Sequence, residues 1–389
     1  MNTNAGPDFF NAKVKIGNTI WAGDVEIHRQ SEEWSRHHHD KDKAYNSVIL
    51  HVVENITEEV FNEKGQSIPQ IKIDIPESVS RCVEYLMKNP AKIPCQTEIK
   101  QVPKHIISTW IDSLGIERLE RKTRDIFKNL KRYNNSWNDV FYLLLSRNYG
   151  FGLNSDTFER LALSLPYNII QKHRDDLFEI EALLFGQAGM LEKDEPLDEY
   201  YIKMRNEYLF LQKKYLLKPL DSYLFKLLRV RPQSFPQIRI AQLASLLQHS
   251  TGLFSTVLEI KNYKLLRLFF QVNVSEYWQT HYVFGKSSVR QSKYPGEASL
   301  NTILINSAAP LLFAYGKKMD MPDYCERAFS ILESLEPERN SIISDFKRAG
   351  LEPRNAFDTQ AIIQLRKEYC DKRKCLYCKI GYSLLSRRS

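Results

Sequence analysis

The sequence of 389 residues lacks the features that mark several classes of protein. No apolar run reaches the roughly 20 residues of a membrane-spanning helix, and the first residues show no signal-peptide pattern. The six cysteines are too sparse for a disulfide framework, which favours a reducing, cytoplasmic compartment. No segment recurs at the roughly 20–50-residue periods of solenoid proteins. These absences predict a globular protein that does not use a membrane.

Charge and composition allow a nucleic-acid partner without requiring one. The 55 Lys and Arg residues outnumber the 47 Asp and Glu residues, so the net charge is +8 and the isoelectric point is about 8.9. Such a balance suits an anionic partner, but it is equally common in proteins that bind none. Hydrophobic residues make up 43% of the chain, which fits a globular core. The length predicts about two or three domains.

The first fifty residues concentrate the titratable side chains. Five of the nine histidines lie between residues 6 and 53. Alternation of apolar residues with lysine predicts a strand over 12–16, and Gly17-Asn18 predicts a turn. A second strand is predicted over 20–28, and the apolar run 48–53 is long enough for a third, buried strand.

Three polar side chains share one face of the second predicted strand. Asp24, Glu26 and His28 alternate with Val25 and Ile27. This face is either the solvated side of a hairpin or a site for metal binding and acid–base chemistry. In the second case, carboxylates would hold Mg²⁺ or Mn²⁺, and a histidine would bind metal or transfer protons.

The remaining histidines of this segment favour structural roles on pattern alone. His51 lies in the apolar third strand, where a hydrogen-bonded core histidine is more common than a ligand. The run of His37, His38 and His39, followed by Asp40, is typical of a solvated polar turn. A transition-metal site is the minority interpretation of that run.

The sequence resembles a bacterial family whose members carry a domain of unknown function, family 2851. The shared segments include GPDF, WAGDVEIH, YNSVILHVV, SRNYGFGLNSDTFERLA, EALLFGQAGML, RPQSFPQIRIAQLASLL and YCDKRKCLYCKIG, and they cover nearly the whole chain. Members of this family usually carry a further helix and strand before GPDF. The resemblance therefore predicts that the present amino terminus is truncated.

The amino-terminal part also resembles the PD-(D/E)XK nucleases. Those enzymes place an Asp at the start of one strand and Glu-x-Lys on the next, followed by a helix and another strand. Pro7-Asp8 and Glu26-Ile27-His28 follow that order. The resemblance implies that Asp8 and Glu26 bind Mg²⁺ and that His28 takes the place of the lysine. Asp24 and His51 are second-line candidates for the same site.

The predicted strands give way to a helical pattern near residue 100. A hairpin is predicted over 60–75, and a domain boundary is predicted near Gln101, dividing the chain into 1–100 and 101–389. Apolar residues at helical spacing predict helices over 106–130 and over 154–165.

Three nearby arginines in this helical region suit either phosphate binding or ion pairing. Arg229, Arg231 and Arg239 lie close together before and within a predicted helix over 238–248. Guanidinium groups bind phosphate bidentately, but they pair equally well with acidic neighbours in a helical bundle. The sequence leaves these two interpretations open.

A cysteine cluster lies near the carboxyl terminus. Cys370, Cys375 and Cys378 are spaced C-x4-C-x2-C, which suits Zn²⁺ or an iron–sulfur cluster. Such a site needs a fourth ligand, and Cys325 is the first candidate, with Cys82, Cys95 or a histidine as alternatives. Three ordinary reduced thiols are the competing interpretation. Some PD-(D/E)XK nucleases carry a carboxyl-terminal iron–sulfur cluster, so the resemblance agrees with a metal.

These observations predict an α+β protein with a restriction-endonuclease-like β-rich domain followed by a larger all-helical region. The leading functional hypothesis is a Mg²⁺-dependent phosphodiesterase, that is a nuclease, or a nuclease-like protein that binds nucleic acid. Asp8, Glu26 and His28 would form its site. The alternative hypothesis is a non-catalytic scaffold or interaction protein whose helical region binds a partner. A hydrolase of another phosphoester is a third.

Overall fold

The computed structural model describes residues 2, 5–192, 197–228, 230–250 and 252–387. The chain packs as two units, of which the first comprises Met1–Pro94 with Cys375–Ser389 and the second comprises Cys95–Lys374. A sheet near the amino terminus precedes a mostly helical region, so the predicted α+β class is confirmed. The carboxyl-terminal segment Cys375–Ser389 belongs to the first unit. The predicted boundary near Gln101 divides the sequence at one point and therefore places this segment with the helical region.

A four-stranded sheet and three helices form the first unit. The elements are β1 (Phe9–Ile16), β2 (Thr19–Gln30), α1 (Glu33–Arg36), β3 (Val48–Asn55), β4 (Gln70–Lys72), α2 (Glu77–Lys88) and, from the carboxyl terminus, α18 (Lys379–Ser386). The strand order is β1-β2-β3-β4, with β1 antiparallel to β2, and β3 and β4 parallel to their neighbours. Gly17 and Asn18 form the turn between β1 and β2, as the sequence predicts.

The predicted hairpin over 60–75 is present only next to its turn, where Ile68 donates to the Val60 carbonyl oxygen and Asn62 to that of Gln66. Its first half makes a single bridge, Phe61 to Ser67, and its second half supplies β4, which pairs in parallel with β3. The chain then starts α2 after Pro76, whose fixed φ suits the position before a helix. The alternation of isoleucines predicts an extended strand correctly, but it carries no information on which strand is the partner.

Among the residues that the structure describes, the regular secondary structure of the second unit is helical apart from one short ribbon. Its helices are α3 (Lys104–Arg132), α4 (Trp137–Tyr149), α5 (Ser155–Ser164), α6 (Tyr167–Lys172), α7 (Leu177–Gln187), α8 (Glu199–Tyr215), α9 (Pro236–His249), α10 (Leu253–Glu259), α11 (Tyr263–Phe270), α12 (Glu276–Thr280), α13 (Glu297–Ile303), α14 (Ala309–Met319), α15 (Pro322–Ser334), α16 (Ser341–Ala349) and α17 (Ala356–Gln364). The ribbon pairs β5 (His281–Val283) with β6 (Lys286–Ser287), which corrects the all-helical prediction in this detail.

A large hydrophobic core fills most of the second unit, beside a smaller cluster of Ile126, Leu130, Val140 and Ala314. It draws on helices from α3 to α17, and α7 and α9 are buried along almost their whole length. The helix Glu297–Met319 is long and apolar enough to cross a membrane by length and composition. Its most apolar window is 67% buried within the protein, as is usual for a core helix. A π-helical turn, Leu304–Ala308, joins α13 to α14 within it.

Candidate metal centre

The polar side chains of β2 lie on a buried face of the sheet. Asp24 and Glu26 are 7% and 6% exposed, and the side chain of His28 is 6% exposed. On the opposite face Trp21 and Ile27 are 48% and 43% exposed. The alternation predicted from the sequence is therefore present, but its polar side is inside. Buried polar groups are stable only when specific partners compensate their desolvation.

Glu26 is held between a backbone amide and two imidazoles. Its Oε2 accepts a hydrogen bond from the Asp8 amide at 2.9 Å, and its Oε1 lies 3.5 Å from Nε2 of both His28 and His39. Burial acts to raise the pKa of Glu26, but the hydrogen bonds with His39 and Asp8 and the nearby imidazoles outweigh it and lower the pKa. The carboxylate is therefore ionised at neutral pH.

His51 supports His28 from the neighbouring strand. Nδ1 of His28 lies 2.9 Å from Nε2 of His51, which is fully buried on β3. Burial lowers the pKa of both imidazoles, that of His51 to about 4, so both are neutral at pH 7. A proton on Nδ1 of His28, donated to His51, would leave the lone pair of Nε2 free toward Glu26. This is the arrangement by which a second histidine orients a metal ligand.

A tight turn brings His37 and His39 to the same place. Helix α1 ends before His37, and His38 then adopts a left-handed conformation with φ +63°, which only a few non-glycine residues do. Ring centroids of His37 and His39 lie 5.1 and 5.3 Å from that of His28. His39 is buried and stacks on Tyr45 at 3.7 Å, whereas His37 is exposed. The turn thus points two of three consecutive histidines at one spot.

The resulting donor set fits a transition metal. Donor atoms of His28, His37 and His39 all lie within 4.8 Å of one another, and Glu26 adds a carboxylate oxygen. In a tetrahedral zinc site with bonds of about 2.0–2.1 Å, neighbouring donor atoms are about 3.4 Å apart. The 3.5 Å separations of Glu26 from His28 and His39 are close to that value. Imidazole donors suit Zn²⁺ and other transition metals, while Mg²⁺ prefers oxygen ligands.

The two aspartates of the predicted site bind strand groups. Oδ2 of Asp8 accepts from the Ile27 amide at 3.1 Å. Asp24 accepts from the Asn11 amide at 2.9 Å and from Oγ of Ser47 at 2.6 Å. Asp24 thereby fixes β1 and β2 where their regular pairing is interrupted. In the described part of the chain, these carboxylates hold the strands in register around Glu26, and the imidazoles are not among their described partners.

The sequence prediction named part of this cluster. Glu26, His28 and His51 lie together, and Asp8 contacts Glu26 through its backbone. For His37 and His39 the sequence makes a transition-metal site the minority interpretation, because a histidine run in a polar segment is usually solvated. The overlooked signal is the spacing: a His-x-His pair just after a short helix, with Trp34 able to pack behind it. Trp34 is fully buried and lies 5.4 Å from His39.

The predicted cysteine site divides between the two units. Cys370 ends a π-helical turn of the second unit, and Cys375 and Cys378 belong to the first. Cys325 lies on α15 in the second unit, 3.6 Å from the Phe313 carbonyl oxygen. All three carboxyl-terminal thiols are buried. A metal bound by these cysteines remains a prediction from their spacing.

The Cys375 thiol contacts a helix that carries another predicted ligand. Its Sγ lies 3.9 Å from the carbonyl oxygen of Leu86 on α2. Cys82, one of the alternatives for a fourth ligand, precedes Leu86 by one turn of that helix and is fully buried. Within the first unit, Cys82 and Cys375 therefore belong to neighbouring elements.

The fold and the site define an α+β protein in which histidines and one ionised carboxylate cluster over the two central strands of its sheet. Residues 1–341 match the family model described as "Protein of unknown function (DUF2851)", and the chain belongs to that family. No curated protein matches the chain, and no solved structure does. That description names no activity, so the assignment of function must rest on the site itself.

Proposed function

We propose that the first unit binds a divalent transition metal, Zn²⁺ or Mn²⁺, and hydrolyses phosphodiester bonds of nucleic acid. The observation that supports metal binding is the convergence of Glu26, His28, His37 and His39. Three of these side chains are buried, and the carboxylate is ionised beside imidazoles that include a neutral one. Metal ligands must be deprotonated, and this cluster supplies an ionised carboxylate and a neutral imidazole.

Each residue has a distinct part in this proposal. Glu26, His28 and His39 form the buried inner set that holds the ion, and His51 fixes the orientation of His28. His37 is the exposed donor, so its position can be given up to water or to a phosphate oxygen. A bound Zn²⁺ or Mn²⁺ would polarise the phosphoryl group and make its bound water acidic.

The order of residues along the sheet supports phosphodiester chemistry. Asp8 directly precedes β1, and Glu26-x-His28 follows on the antiparallel β2. A short helix and the parallel strand β3 come next. This is the order in which the PD-(D/E)XK nucleases carry their acidic residues and lysine. The net charge of +8 suits a polyanionic substrate.

The test is cleavage of single- and double-stranded DNA and RNA by metal-stripped protein to which Zn²⁺, Mn²⁺ or Mg²⁺ is returned. Glu26→Gln removes the carboxylate charge and keeps the shape. His38→Asn is the matched control, because it changes the same histidine run and Asn tolerates the left-handed conformation. We expect cleavage with Zn²⁺ or Mn²⁺ that Glu26→Gln loses and His38→Asn retains.

Two results would contradict the proposal at different points. If metal binds stoichiometrically but no substrate is cleaved, the site is structural and the nuclease assignment is wrong. If neither Zn²⁺ nor Mn²⁺ binds to the stripped, folded protein, the metal site itself is wrong. Cleavage that needs Mg²⁺ alone would favour the oxygen ligands Asp8 and Glu26 over the histidines.

A second function, binding of a protein partner, is favoured by the outer face of the sheet. Trp21 and Ile27 on β2 and Ile71 on β4 are each more than two-fifths exposed. Exposed apolar groups of this kind mark interaction surfaces when they are contiguous. Replacing Trp21 and Ile27 by Thr should then abolish association with a partner while zinc binding is unchanged; a variant that behaves like wild type in both respects would exclude this role.

A further inference from the structure

A buried arginine of the second unit faces a cavity without a carboxylate partner. Arg239 on α9 is 8% exposed. Its guanidinium donates to Oε1 of Gln242 at 2.9 Å, to Oγ of Ser299 at 3.0 Å and to Oγ of Ser234 at 3.2 Å. All three acceptors are neutral. In the described part of the chain, no Asp or Glu pairs with this charge.

A buried charge of this kind is costly unless an opposite charge compensates it. The Nε–H of Arg239 has no hydrogen-bond acceptor among the described residues. The ring of Phe151 lies 4.1 Å from the guanidinium and compensates part of the charge through a cation–π contact. Burial nevertheless lowers the pKa of Arg239 to about 10, so the surroundings disfavour the cation. The site therefore lacks an anion.

The cavity beside Arg239 is suited to a small molecule with an apolar part. Its volume is about 310 Å³, at the lower end of ligand pockets. The lining side chains that matter here are Tyr149, Phe151, Phe158, Arg231, Ser234 and Arg239. The Tyr149 hydroxyl is buried and has no partner among the described residues, so it is a second unused donor. Arg231 is exposed at the rim and adds positive charge.

We infer that this cavity binds a small organic oxyanion, a phosphate monoester or a carboxylate, with its charge on Arg239 and its apolar part against Phe151. An oxyanion supplies the missing countercharge and accepts hydrogen bonds from a guanidinium. The half-buried ring of Phe151 supplies area against which an apolar group packs. Of the three arginines noted in the sequence, Arg239 carries this site; Arg229 lies outside the described residues. The inference does not depend on the metal centre.

The experiment measures ligand-induced stabilisation of the metal-stripped full-length protein, which keeps the probes from binding a metal in the first unit. The probes are phenyl phosphate, benzoate and inorganic phosphate, compared with chloride at equal ionic strength. We expect phenyl phosphate or benzoate to raise the Tm of wild type in a saturable way and inorganic phosphate to do so more weakly. The stronger of the two aromatic probes identifies the anionic group.

Two variants make the result specific. Arg239→Gln keeps hydrogen-bonding groups but removes the charge; it should fold at least as stably without a probe and should lose at least tenfold in affinity. Tyr149→Phe removes an unpartnered hydroxyl, so it should fold normally and bind several-fold more weakly. No probe-induced shift in wild type overturns the inference, as does unchanged affinity in Arg239→Gln. If Arg239→Gln does not fold, unchanged affinity in Tyr149→Phe overturns it.

Discussion

The more deeply a zinc ligand is buried, the larger the loss of zinc affinity should be when it is replaced. Structural zinc sites with four ligands bind with about 10–16 kcal/mol at pH 7. An equal share among four ligands is about 2.5–4 kcal/mol each, which corresponds to a factor of about 100 to 1,000 in affinity. We expect His39→Ala and Glu26→Gln to lose this much, because the first leaves a buried gap that water fills poorly and the second replaces the charged ligand by a neutral amide.

His37→Ala should lose tenfold or less. His37 is exposed, so a water molecule can take its place at the metal, and the ordering of a mobile side chain no longer opposes binding. His38→Asn should bind zinc as wild type does. Zinc affinity should therefore decrease from His38→Asn to His37→Ala, and again from His37→Ala to His39→Ala and Glu26→Gln.

Competition with a chromophoric chelator measures these affinities, and tryptophan fluorescence reports whether each variant folds. Trp34 beside His39 makes the second measurement sensitive to the site. Equal losses in His37→Ala and His39→Ala would refute the distinction between an inner set and an exposed donor. A loss of affinity in His38→Asn equal to that in His39→Ala would refute the assignment of ligands within the run.

Three further changes have defined outcomes. Burial raises the pKa of Glu181 to about 7, so the stability that this residue contributes below about pH 4.5 is lost as the pH rises toward 7. In urea unfolding, Glu181→Gln should therefore increase the free energy of unfolding by about 3 kcal/mol at pH 8 and change it little at pH 4. Gly23→Ala would place its Cβ 2.3 Å from Ile49 and should cost about 2 kcal/mol by the same measurement. His51→Phe keeps the packing but removes the acceptor of His28, and should weaken zinc about 10–100-fold in chelator competition.

Local sequence signals predict the strands of the first unit well. Alternation and the Gly17-Asn18 turn place β1 and β2 to within a few residues, and the apolar run places β3. These signals act between near neighbours in the chain. The pairing of β4 with β3 could not be predicted in this way, because a parallel neighbour is chosen by contacts between residues far apart in sequence.

The candidate metal centre could also be predicted only in part from the sequence. The sequence indicates that Glu26 and His28 share a face, since alternation fixes it. It does not indicate whether that face is buried, because burial depends on what packs against it. Trp34 and Tyr45, which flank His39, lie in the connection between β2 and β3 and form a separate core cluster with Val48, Val60 and Ile68. That packing turns a polar strand face and a polar turn into one enclosed cluster.

The local conformation of this cluster itself argues for a ligand. His38 is held in a left-handed conformation that costs about 1–3 kcal/mol for a residue other than glycine. Nδ1 of His51 is buried without a described partner, and Glu26 is buried as an anion. A chain that needed only a stable sheet would place apolar groups here and leave the polar ones outside, which is the reverse of what β2 does. Locally unfavourable choices of this kind concentrate at functional sites. The proposed metal ion would compensate the buried carboxylate and use the imidazole that His51 contacts, and it would account for the strained turn.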